Sequence, residues 1–500
     1  MGLKSVFGKL YASILVHRLR KTVSEPLKHQ DAILQNLISK ASSTQFGIDH
    51  QFTKITNYAD FKKQIPVRDY EGLRSYIDQV VEGKPDIIWP GKPEYFCKTS
   101  GTTSGAKYIP ISKDSVAHHV DAAKLAILCY VEETGKADFI DGKMIFLQGS
   151  PELSDLNGTP LGRLSGITAH WVPSYLQKNR LPSWETNMIE DWETKVDAIV
   201  EETKNADMRL ISGIPSWVQM YFERLIENSD KENVSQIFSK FSLFVHGGVN
   251  YQPYEAIFKK LIGKTIPSIE TYPASEGFIA FQDTQKEEGL LLNVNAGIFF
   301  EFIPVKEFHE DNPTRISLKN VELGVNYAII LSTNAGLWAY NIGDTVEFVS
   351  TKPYRIKVTG RIKHFTSAFG EHVIADEVES SLKEVMPLFD MEVREFHLAP
   401  QIKPNDGLPY HEWFIEFDRA PANMDAFRLK LDQTLQAKNP YYKDLITGNV
   451  LTPLKVTTIQ KDGFLNMMKS RGKLGGQNKI PRLANDRKLA EILEQFLYLS

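Results

Sequence analysis

The first segment whose residue types suggest chemistry is a loop rich in hydroxyl groups at residues 99–107. Three hydroxyl side chains lie between two glycines, and a lysine follows. Glycine lets the backbone curl so that successive N–H groups converge on an anion, hydroxyls add donors, and a lysine supplies compensating charge. The loop therefore predicts a phosphate site made of Ser100, Gly101, Thr102, Thr103, Ser104, Gly105 and Lys107.

This loop differs from the common P-loop. Ala106 stands where the second glycine belongs, and Tyr108 stands where a Ser or Thr that binds Mg²⁺ belongs. An extended segment at 95–98 precedes the loop. An ordinary polar turn between a strand and a helix is the alternative interpretation, and the loop by itself leaves both open.

A second motif follows a predicted strand at 266–270. Tyr272, Ser275 and Glu276 come after that strand, at the carboxyl end where α/β proteins usually place ligands. Tyr272 is a candidate for stacking on a base, and Glu276 is a candidate ligand of Mg²⁺. Core packing of Tyr272 and a solvated loop position for Glu276 are the alternatives.

Two further strand ends carry glycines. The strand at 243–245 leads into His246, Gly247, Gly248 and Val249, and the two glycines allow the backbone to approach a flat ligand. Asp344 follows Gly343, and its two carboxylate oxygens could accept hydrogen bonds from both hydroxyls of a ribose. A plain tight turn is the alternative at each place.

These motifs need a scaffold of alternating strands and helices. Helical stretches separate the apolar runs, which predicts an α/β domain with parallel or mixed sheets. Beyond Val358 the pattern changes to a compact α+β arrangement. We therefore expect a large domain at 1–358 and a small, mobile domain at 359–500. The apolar runs lie at 143–148, 243–245, 266–270, 298–303, 327–331 and 344–349.

The composition excludes several classes of protein. The 500 residues are 42% hydrophobic and carry a formal net charge of −4, so no basic field would attract nucleic acid or an anionic membrane. Two cysteines do not make a disulfide scaffold, and Lys4 and Lys9 interrupt the apolar N-terminus, unlike a signal peptide. We expect a cytoplasmic monomer or homodimer that acts on small molecules.

Taken in order, the motifs resemble the adenylate-forming superfamily over essentially the whole chain, and they continue into Gly360, Arg361 and Lys363. The closer resemblance is to the auxin-responsive family of acyl acid amido synthetases, and the chain looks like a bacterial member of it. Two features carry this resemblance: the phosphate loop continues into Tyr108-Ile109-Pro110, and the tail reads Gly475-Gly476-Gln477-Asn478-Lys479-Ile480-Pro481-Arg482.

The resemblance implies a role for each motif. The phosphate loop with Lys107 would bind the phosphates of ATP, His246 to Val249 and Tyr272 would flank the adenine, and Glu276 would hold Mg²⁺. Asp344 would hold the ribose. Asn341 and Pro273 depart from the residues that many relatives carry, which leaves the local contacts there open.

The small domain would complete the site. Arg361 would reach the nucleotide from the domain junction, and Lys363 lies where relatives place their hinge. Lys479 would approach the phosphate or the carboxylate during adenylation, and Lys473 is its alternative because the two lysines lie close in sequence.

The implied function is that of an ATP-dependent amido synthetase, which adenylates a carboxylic acid and passes the acyl group to an amine such as an amino acid. An acyl-CoA ligase with a thiol acceptor is one alternative, and a catalytically silent nucleotide-binding protein is another. The acid pocket would come from the segment between the phosphate loop and the adenine motif, with core packing as the alternative. Its candidates are Leu164, Ile167, Trp171, Ile214 and Trp217.

Overall fold

The computed structural model describes residues 3–99, 107–172, 177–189, 191–248, 251, 254–308, 310, 312–362, 365–366, 373–447, 450–472 and 480–496. The chain divides into two compact units. The larger unit comprises Met1–Ile342 and Val346–Lys357, and the smaller comprises Gly343–Thr345 and Val358–Ser500. No helix among the described residues is both long enough and apolar enough to cross a membrane.

The helices begin where capping residues favour a start. Ser112, Asp191 and Asn423, for example, each accept a hydrogen bond from a backbone N–H in the first turn of the helix that follows. In chain order the helices are α1 (Leu3–Ser24), α2 (Pro26–Ala41), α3 (Gln45–Asp49), α4 (Tyr58–Gln64), α5 (Tyr70–Val81), α6 (Lys113–Thr134), α7 (Leu164–Ala169), α8 (Trp184–Met188), α9 (Trp192–Thr203), α10 (Pro215–Glu227), α11 (Val234–Ile237), α12 (Glu255–Ile262), α13 (Ala375–Val385), α14 (Met424–Lys438), α15 (Pro440–Thr447), α16 (Gly463–Ser470) and α17 (Lys488–Leu493).

The strands differ in length. In chain order they are β1 (Tyr95–Thr99), β2 (Lys107–Ile111), β3 (Lys143–Phe146), β4 (Ser154–Leu156), β5 (Thr159–Gly162), β6 (Arg180–Leu181), β7 (Met208–Ser212), β8 (Leu243–Gly247), β9 (Ser268–Ala274), β10 (Gly277–Phe281), β11 (Leu290–Leu292), β12 (Ile298–Pro304), β13 (Ile316–Ser317), β14 (Asn326–Thr333), β15 (Tyr340–Thr351), β16 (Tyr354–Arg361), β17 (Phe365–Thr366), β18 (Val373–Ile374), β19 (Glu392–Gln401), β20 (Tyr410–Arg419) and β21 (Lys455–Ile459). The longest strands are β14, β15, β16, β19 and β20, with eight to twelve residues each.

A mixed sheet dominates the larger unit. Its strand order among the described residues is β13-β12-β14-β15-β16-β11-β10-β9-β8-β7-β3-β6. The strands from β6 through β3, β7 and β8 to β9 are parallel, and the pairings from β9 through β10 and β11 to β16 are antiparallel. The mixed α/β class expected from the sequence is confirmed.

The parallel strands are covered on both faces, as their apolar sequences require. Along β8, Leu243 and Val245 belong to a core that includes residues of α1 and α6. Phe244 points to the opposite face and packs with residues of α9, α10 and α12. This alternation follows from the two-residue period of a strand, and it fixes which side chains share a face at the end of each strand.

A separate sheet carries the hydroxyl-rich loop. Its strand order is β2-β1-β5-β4, and β1 and β2 pair antiparallel from Tyr95 opposite Ile111 to Thr99 opposite Lys107. Residues 100–106, which connect these two strands, lie outside the described part of the chain. The loop therefore connects two paired strands and not a strand and a helix, and its role in phosphate binding stays a prediction.

The smaller unit is built on the sheet β19-β20-β21. Trp413 and Ile415 of β20 belong to a core with residues of α13 and α14, whereas Phe414 belongs to a second core with residues of α16 and α17. This unit has the α+β character expected from the sequence.

Candidate functional site

The carboxyl ends of the parallel strands β3, β7, β8 and β9 gather most of the described candidates in the larger unit. Phe244, Val245, His246 and Gly247 of β8 pair in parallel with residues 268–271 of β9. The backbone N–H of Gly213, just beyond β7, donates to the carbonyl of Val245 at 3.1 Å. Loops that follow such adjacent parallel strands converge at one edge of the sheet, where ligands of α/β proteins bind.

Gly247 is required by the close approach of β8 and β9. A Cβ atom at this position would lie 2.3 Å from the carbonyl oxygen of Thr271, which real Cβ atoms do not tolerate. The Thr271 hydroxyl donates to the carbonyl of His246 at 2.9 Å and ties the two strands together at the same point. Gly248 follows with a φ of +84°, a conformation that favours glycine. Val249 lies outside the described residues.

His246 is a buried neutral side chain. Burial lowers its pKa to about 3, so the imidazole carries no charge at physiological pH. Its ring lies 4.4 Å from the ring of Tyr251, centroid to centroid. These contacts show that the imidazole itself packs against its neighbours. The backbone that follows it, at Gly247 and Gly248, lies at the carboxyl end of β8.

Tyr272, Ser275 and Glu276 belong to a hairpin. β9 runs to Ala274, so the prediction that this strand ends at residue 270 is wrong, because pairing with β10 continues the strand after pairing with β8 stops at Thr271. Ala274 pairs with Gly277, which leaves Ser275 and Glu276 as a two-residue turn. Tyr272 and Ser275 are buried, and Glu276 is half-buried in the turn.

A hydrogen bond joins this turn to the strand that leads into the hydroxyl-rich loop. The thiol of Cys97 in β1 donates to the hydroxyl of Ser275 at 3.1 Å. Burial raises the pKa of Cys97 to about 12, so this sulfur remains a thiol and does not act as a nucleophile at neutral pH. The structure thus places β1, whose last residue directly precedes Ser100, beside the turn that carries Glu276.

Lys107 is the first residue of β2. Its ammonium lies 5.6 Å from the ring centroid of Tyr70, within the range of a cation–π contact. The Tyr70 hydroxyl accepts a hydrogen bond from the backbone N–H of Tyr108 at 3.0 Å. Tyr70 therefore contacts the first two residues of β2, where the hydroxyl-rich loop ends. Ser100, Gly101, Thr102, Thr103, Ser104 and Gly105 lie outside the described residues.

Asp344 and Arg361 form an ion pair in the smaller unit. The Nε atom of Arg361 lies 2.6 Å from the Oδ1 atom of Asp344, and the side chain of Asp344 is 16% exposed against 50% for Arg361. Asp344 lies within β15, so a plain turn position for it is wrong, although Gly343 before it has a φ of +86°. Asp344 and Arg361, the two residues predicted to bind the nucleotide, are therefore in contact. Lys363 lies outside the described residues.

The segment after the tail lysines is anchored to β19. His397 Nδ1 lies 2.6 Å from the carbonyl of Pro481, and Leu398 bonds through its backbone to both Arg482 and Ala484. The guanidinium of Arg482 forms an ion pair with Glu395 and lies over the ring of Phe396 at 4.6 Å. Lys473 and Lys479 lie outside the described residues, directly before this anchored segment.

The candidates for the acid pocket fall into two groups. Leu164 and Ile167 lie in α7, which packs on β1, and the indole N–H of Trp171 donates to the Tyr95 hydroxyl at 3.2 Å. Ile214 precedes α10, and Trp217 in that helix packs against Trp192, with the ring centroids 4.5 Å apart. Leu164, Ile167 and Trp217 are buried, so all three contribute to packing.

Comparison with known proteins decides the family. The GH3 family N-terminal domain matches residues 15–187, the central domain matches residues 291–361, and the C-terminal domain matches residues 374–488. Together these matches span most of the chain. The chain belongs to the GH3 family.

Some curated GH3 relatives align along nearly the whole chain at low identity, as two examples show. The indole-3-acetic acid-amido synthetase GH3.15 of Arabidopsis thaliana is 20% identical, with 93% of this chain and 91% of the relative covered. The 4-substituted benzoates-glutamate ligase GH3.12 of the same plant is 21% identical, with 95% and 96% covered. The solved structure of the GH3.15 acyl acid amido synthetase superposes with a TM-score of 0.80 at 16% identity, covering 98% of this chain and 97% of that one. The fold is therefore that of a GH3 protein.

Two charged residues of this GH3 chain lie outside the candidate site residues predicted from the sequence. Burial raises the pKa of Glu270 to about 7 and lowers that of Lys195 to about 8. The backbone of Glu270 in β9 lies opposite that of His246 in β8 in the parallel pairing of the two strands. Neither residue belongs to a motif. The sequence nevertheless carried one signal for them, because a charged residue within an otherwise apolar strand, or on the apolar face of a helix, needs a partner when it is buried.

Proposed function

We propose that this chain is an ATP-dependent acyl acid amido synthetase. In the first half-reaction a carboxylate oxygen of the substrate attacks the α-phosphorus of ATP, and pyrophosphate leaves. In the second, an amine nitrogen attacks the acyl carbon and gives up a proton, the amide bond forms, and AMP leaves with the former carboxylate oxygen. The observation that carries the proposal is the bond from Cys97 to Ser275, which brings the hydroxyl-rich hairpin beside the turn with Glu276 in a chain of the GH3 family.

The nucleotide would lie at the edge formed by these elements. We assign the phosphates to the loop at 100–105 with Lys107, and the adenine to Tyr272 and the backbone from His246 to Val249. Two glycines and a buried aromatic side chain at that edge support the adenine assignment, because a flat ring needs close backbone approach and an apolar face. We assign the ribose to Asp344, with Arg361 beside it.

Glu276 would hold Mg²⁺ together with the phosphates of ATP. Among the described residues, no cluster of three or more His, Cys, Asp or Glu side chains forms a ready-made metal site. A single carboxylate fits this cation, because Mg²⁺ usually keeps several waters and binds through one or two carboxylates plus substrate phosphates. When bound, the cation neutralises charge that develops on the phosphates.

The two half-reactions need different groups in one cleft. We propose that the domain at 359–500 rotates over the large domain at 1–358 about Lys363, delivers Lys479 for adenylation, and withdraws it to admit the amine. The anchored segment at 480–484 supports a defined position for that lysine within its own unit, because the bonds to β19 fix the backbone next to it.

The names of the relatives guide the choice of substrates. They name indole-3-acetic acid and 4-substituted benzoates as acids, and glutamate as an acceptor. We propose an aryl or indolyl acid and an amino acid for this chain, with Leu164, Ile167, Trp171, Ile214 and Trp217 as the walls of the acid pocket. We further propose a bacterial protein that acts in the cytoplasm as a monomer or homodimer, without a nucleic acid or membrane partner.

A pyrophosphate-release screen tests the proposal. The full chain is incubated with ATP, Mg²⁺ and a panel of carboxylic acids, and amino acids and coenzyme A are compared as acceptors. We expect release with at least one aryl or indolyl acid and an amide product with an amino acid. A thioester product in place of the amide would establish the acyl-CoA ligase, and no release with any acid would reject adenylation.

A further inference from the structure

Lys195 is a buried cation without a carboxylate partner among the described residues. Its side chain is 2% exposed, and its ammonium donates to the carbonyl oxygens of Asn187 at 2.6 Å and Gln148 at 3.1 Å. Burial lowers its pKa to about 8, and the nearby charge of Arg163 adds to the effect. The group therefore remains a cation at neutral pH, and two neutral carbonyls offset little of the cost of burying that charge.

Three more donors near Lys195 have no hydrogen-bond partner in the described structure. They are the indole N–H of Trp192, the side-chain amide of Gln148 and the hydroxyl of Ser165. Trp192 is 4% exposed, and it precedes Lys195 by three residues in α9, so both side chains lie on one face of that helix. Buried donors are normally satisfied, so a group of such donors around one cation needs an explanation.

The contacts of their neighbours tie these residues into one place. The backbone carbonyl of Gln148 accepts a hydrogen bond from the ammonium of Lys195. A Cβ atom on the next residue, Gly149, would lie 3.2 Å from the Cδ atom of Arg163 and 3.4 Å from the hydroxyl of Ser165, so both side chains contact this backbone. Trp192 packs against Trp217 at the start of α10. The cluster therefore lies just beyond the carboxyl end of β3, beside the candidate walls of the acid pocket.

The chemistry of this cluster fits an anion. Lys195 and the nearby Arg163 supply positive charge, and the three neutral donors match the planar oxygens of a carboxylate. The side-chain oxygen of Asn187 is also buried without a hydrogen-bond partner in the described structure, and it could accept an N–H from the same ligand. An amino acid offers both a carboxylate and an N–H group to such a cluster.

We propose that Lys195, Trp192, Gln148 and Ser165 bind a carboxylate that does not react. The inference rests on the proposed function, in which the reacting carboxylate must lie at the α-phosphorus of ATP and cannot occupy this cluster at the same time. The acceptor amino acid supplies the spectator carboxylate. A dicarboxylic acid substrate would present the same chemistry, so the test distinguishes these two sources.

The test compares substrates that differ only in the spectator carboxylate. Glycine and glycinamide serve as acceptors in amide formation, and matched dicarboxylic and monocarboxylic acids serve in pyrophosphate release. In Lys195→Met we expect the ratio of KM for glycine to KM for glycinamide to rise about 10- to 100-fold, because the charge-assisted hydrogen bond to the carboxylate of glycine is lost. Trp192→Phe keeps an aromatic ring against Trp217, removes the N–H donor together with part of the bicyclic ring, and should shift the same ratio in the same direction.

Lys204→Met is the matched control, because Lys204 directly follows α9 and is partly exposed beside Glu201. A change confined to the dicarboxylic acid in pyrophosphate release would assign the cluster to the acid instead of the acceptor. KM ratios that stay at the wild-type value in both Lys195→Met and Trp192→Phe would overturn the site. If the wild-type chain releases no pyrophosphate, the proposed function fails, and calorimetric titration of both variants with glycine and glutarate then decides whether the site exists.

Discussion

Cys97 and Ser275 are separated by 178 residues in sequence, and the thiol of one donates to the hydroxyl of the other at 3.1 Å. Cys97 belongs to the strand before the hydroxyl-rich loop, and Ser275 belongs to the hairpin turn with Glu276. This contact is the point at which two motifs that are separate in sequence become parts of one site. It also makes Ser275 a positioning residue whose removal can be measured.

Ser275→Ala removes the acceptor for the Cys97 thiol and leaves the fold of the hairpin in place. We expect the KM for ATP in pyrophosphate release to rise about 3- to 10-fold, because one neutral hydrogen bond that aligns the loop strand with the turn is lost. Ser268→Ala, at the start of β9, the strand that leads into this turn, is the control. A KM for ATP that is equal in the two variants would contradict the positioning role.

Gly247→Ala tests the close approach of β8 and β9. The new Cβ would lie 2.3 Å from the carbonyl of Thr271, so one strand must shift. We expect the free energy of unfolding to fall by about 1–3 kcal/mol, the usual cost of overpacking, and ATP binding to weaken. Gly324→Ala, where nothing lies within 4 Å, should cost only the left-handed backbone preference, about 1 kcal/mol. Denaturant unfolding of both variants measures the difference, and equal costs would reject the steric argument.

Asp344→Ala removes the carboxylate assigned to the ribose. The ion pair with half-exposed Arg361 contributes little by itself, because solvent screens it. A large effect must therefore come from the nucleotide. We expect ATP binding, measured by calorimetric titration, to weaken about 10- to 100-fold, as for lost hydrogen bonds to a charged group. Glu347→Ala in the same strand is the control, and wild-type affinity in Asp344→Ala would remove the ribose assignment.

Lys479→Ala and Lys473→Ala identify the lysine that acts in adenylation. A cation that meets charge developing in the transition state changes the rate more than the binding of ATP. We expect Lys479→Ala to lower kcat for pyrophosphate release about 100- to 1,000-fold, with a much smaller effect on the affinity for ATP. Lys473→Ala serves as the control. A large fall in kcat in Lys473→Ala and not in Lys479→Ala would assign the role to Lys473. Near wild-type kcat in both variants would show that neither lysine of this tail acts in adenylation.

Glu416 makes the smaller unit sensitive to pH. The carboxylate accepts hydrogen bonds from the backbone N–H groups of Asp462 and Phe464, yet burial raises its pKa to about 7. Because the folded pKa lies above the unfolded value, the folded state binds the extra proton between pH 4.5 and 7, and this contribution to stability is lost as the pH rises through that range.

Glu416→Gln removes this titration. We expect the free energy of unfolding of the wild-type chain, minus that of the variant, to fall by about 2–3 kcal/mol between about pH 4.5 and about pH 8. Denaturant unfolding at the two pH values measures it. Glu384→Gln, at an exposed position of the same unit, should show no such trend. A difference that stays flat or rises with pH would contradict the expected direction.

Local patterns in the sequence determined much of this protein. The break at Pro26 separates α1 from α2, the apolar runs became strands, and the order of the motifs led to the family. These features depend on residues that are near neighbours in the chain, such as a proline at a helix start or a glycine after a strand, so their physical causes are visible in a short window.

Other features were decided only by tertiary structure. β9 extends through Tyr272 because β10 provides a second pairing partner, and the Cys97 thiol finds Ser275 because two different sheets meet there. Lys195 lies on the apolar face of α9, which indicates that it needs a partner, but nothing near it in sequence identifies that partner. Its lowered pKa and its neighbouring donors arise from burial against segments that are distant in sequence, and desolvation depends on the packed fold rather than on local sequence.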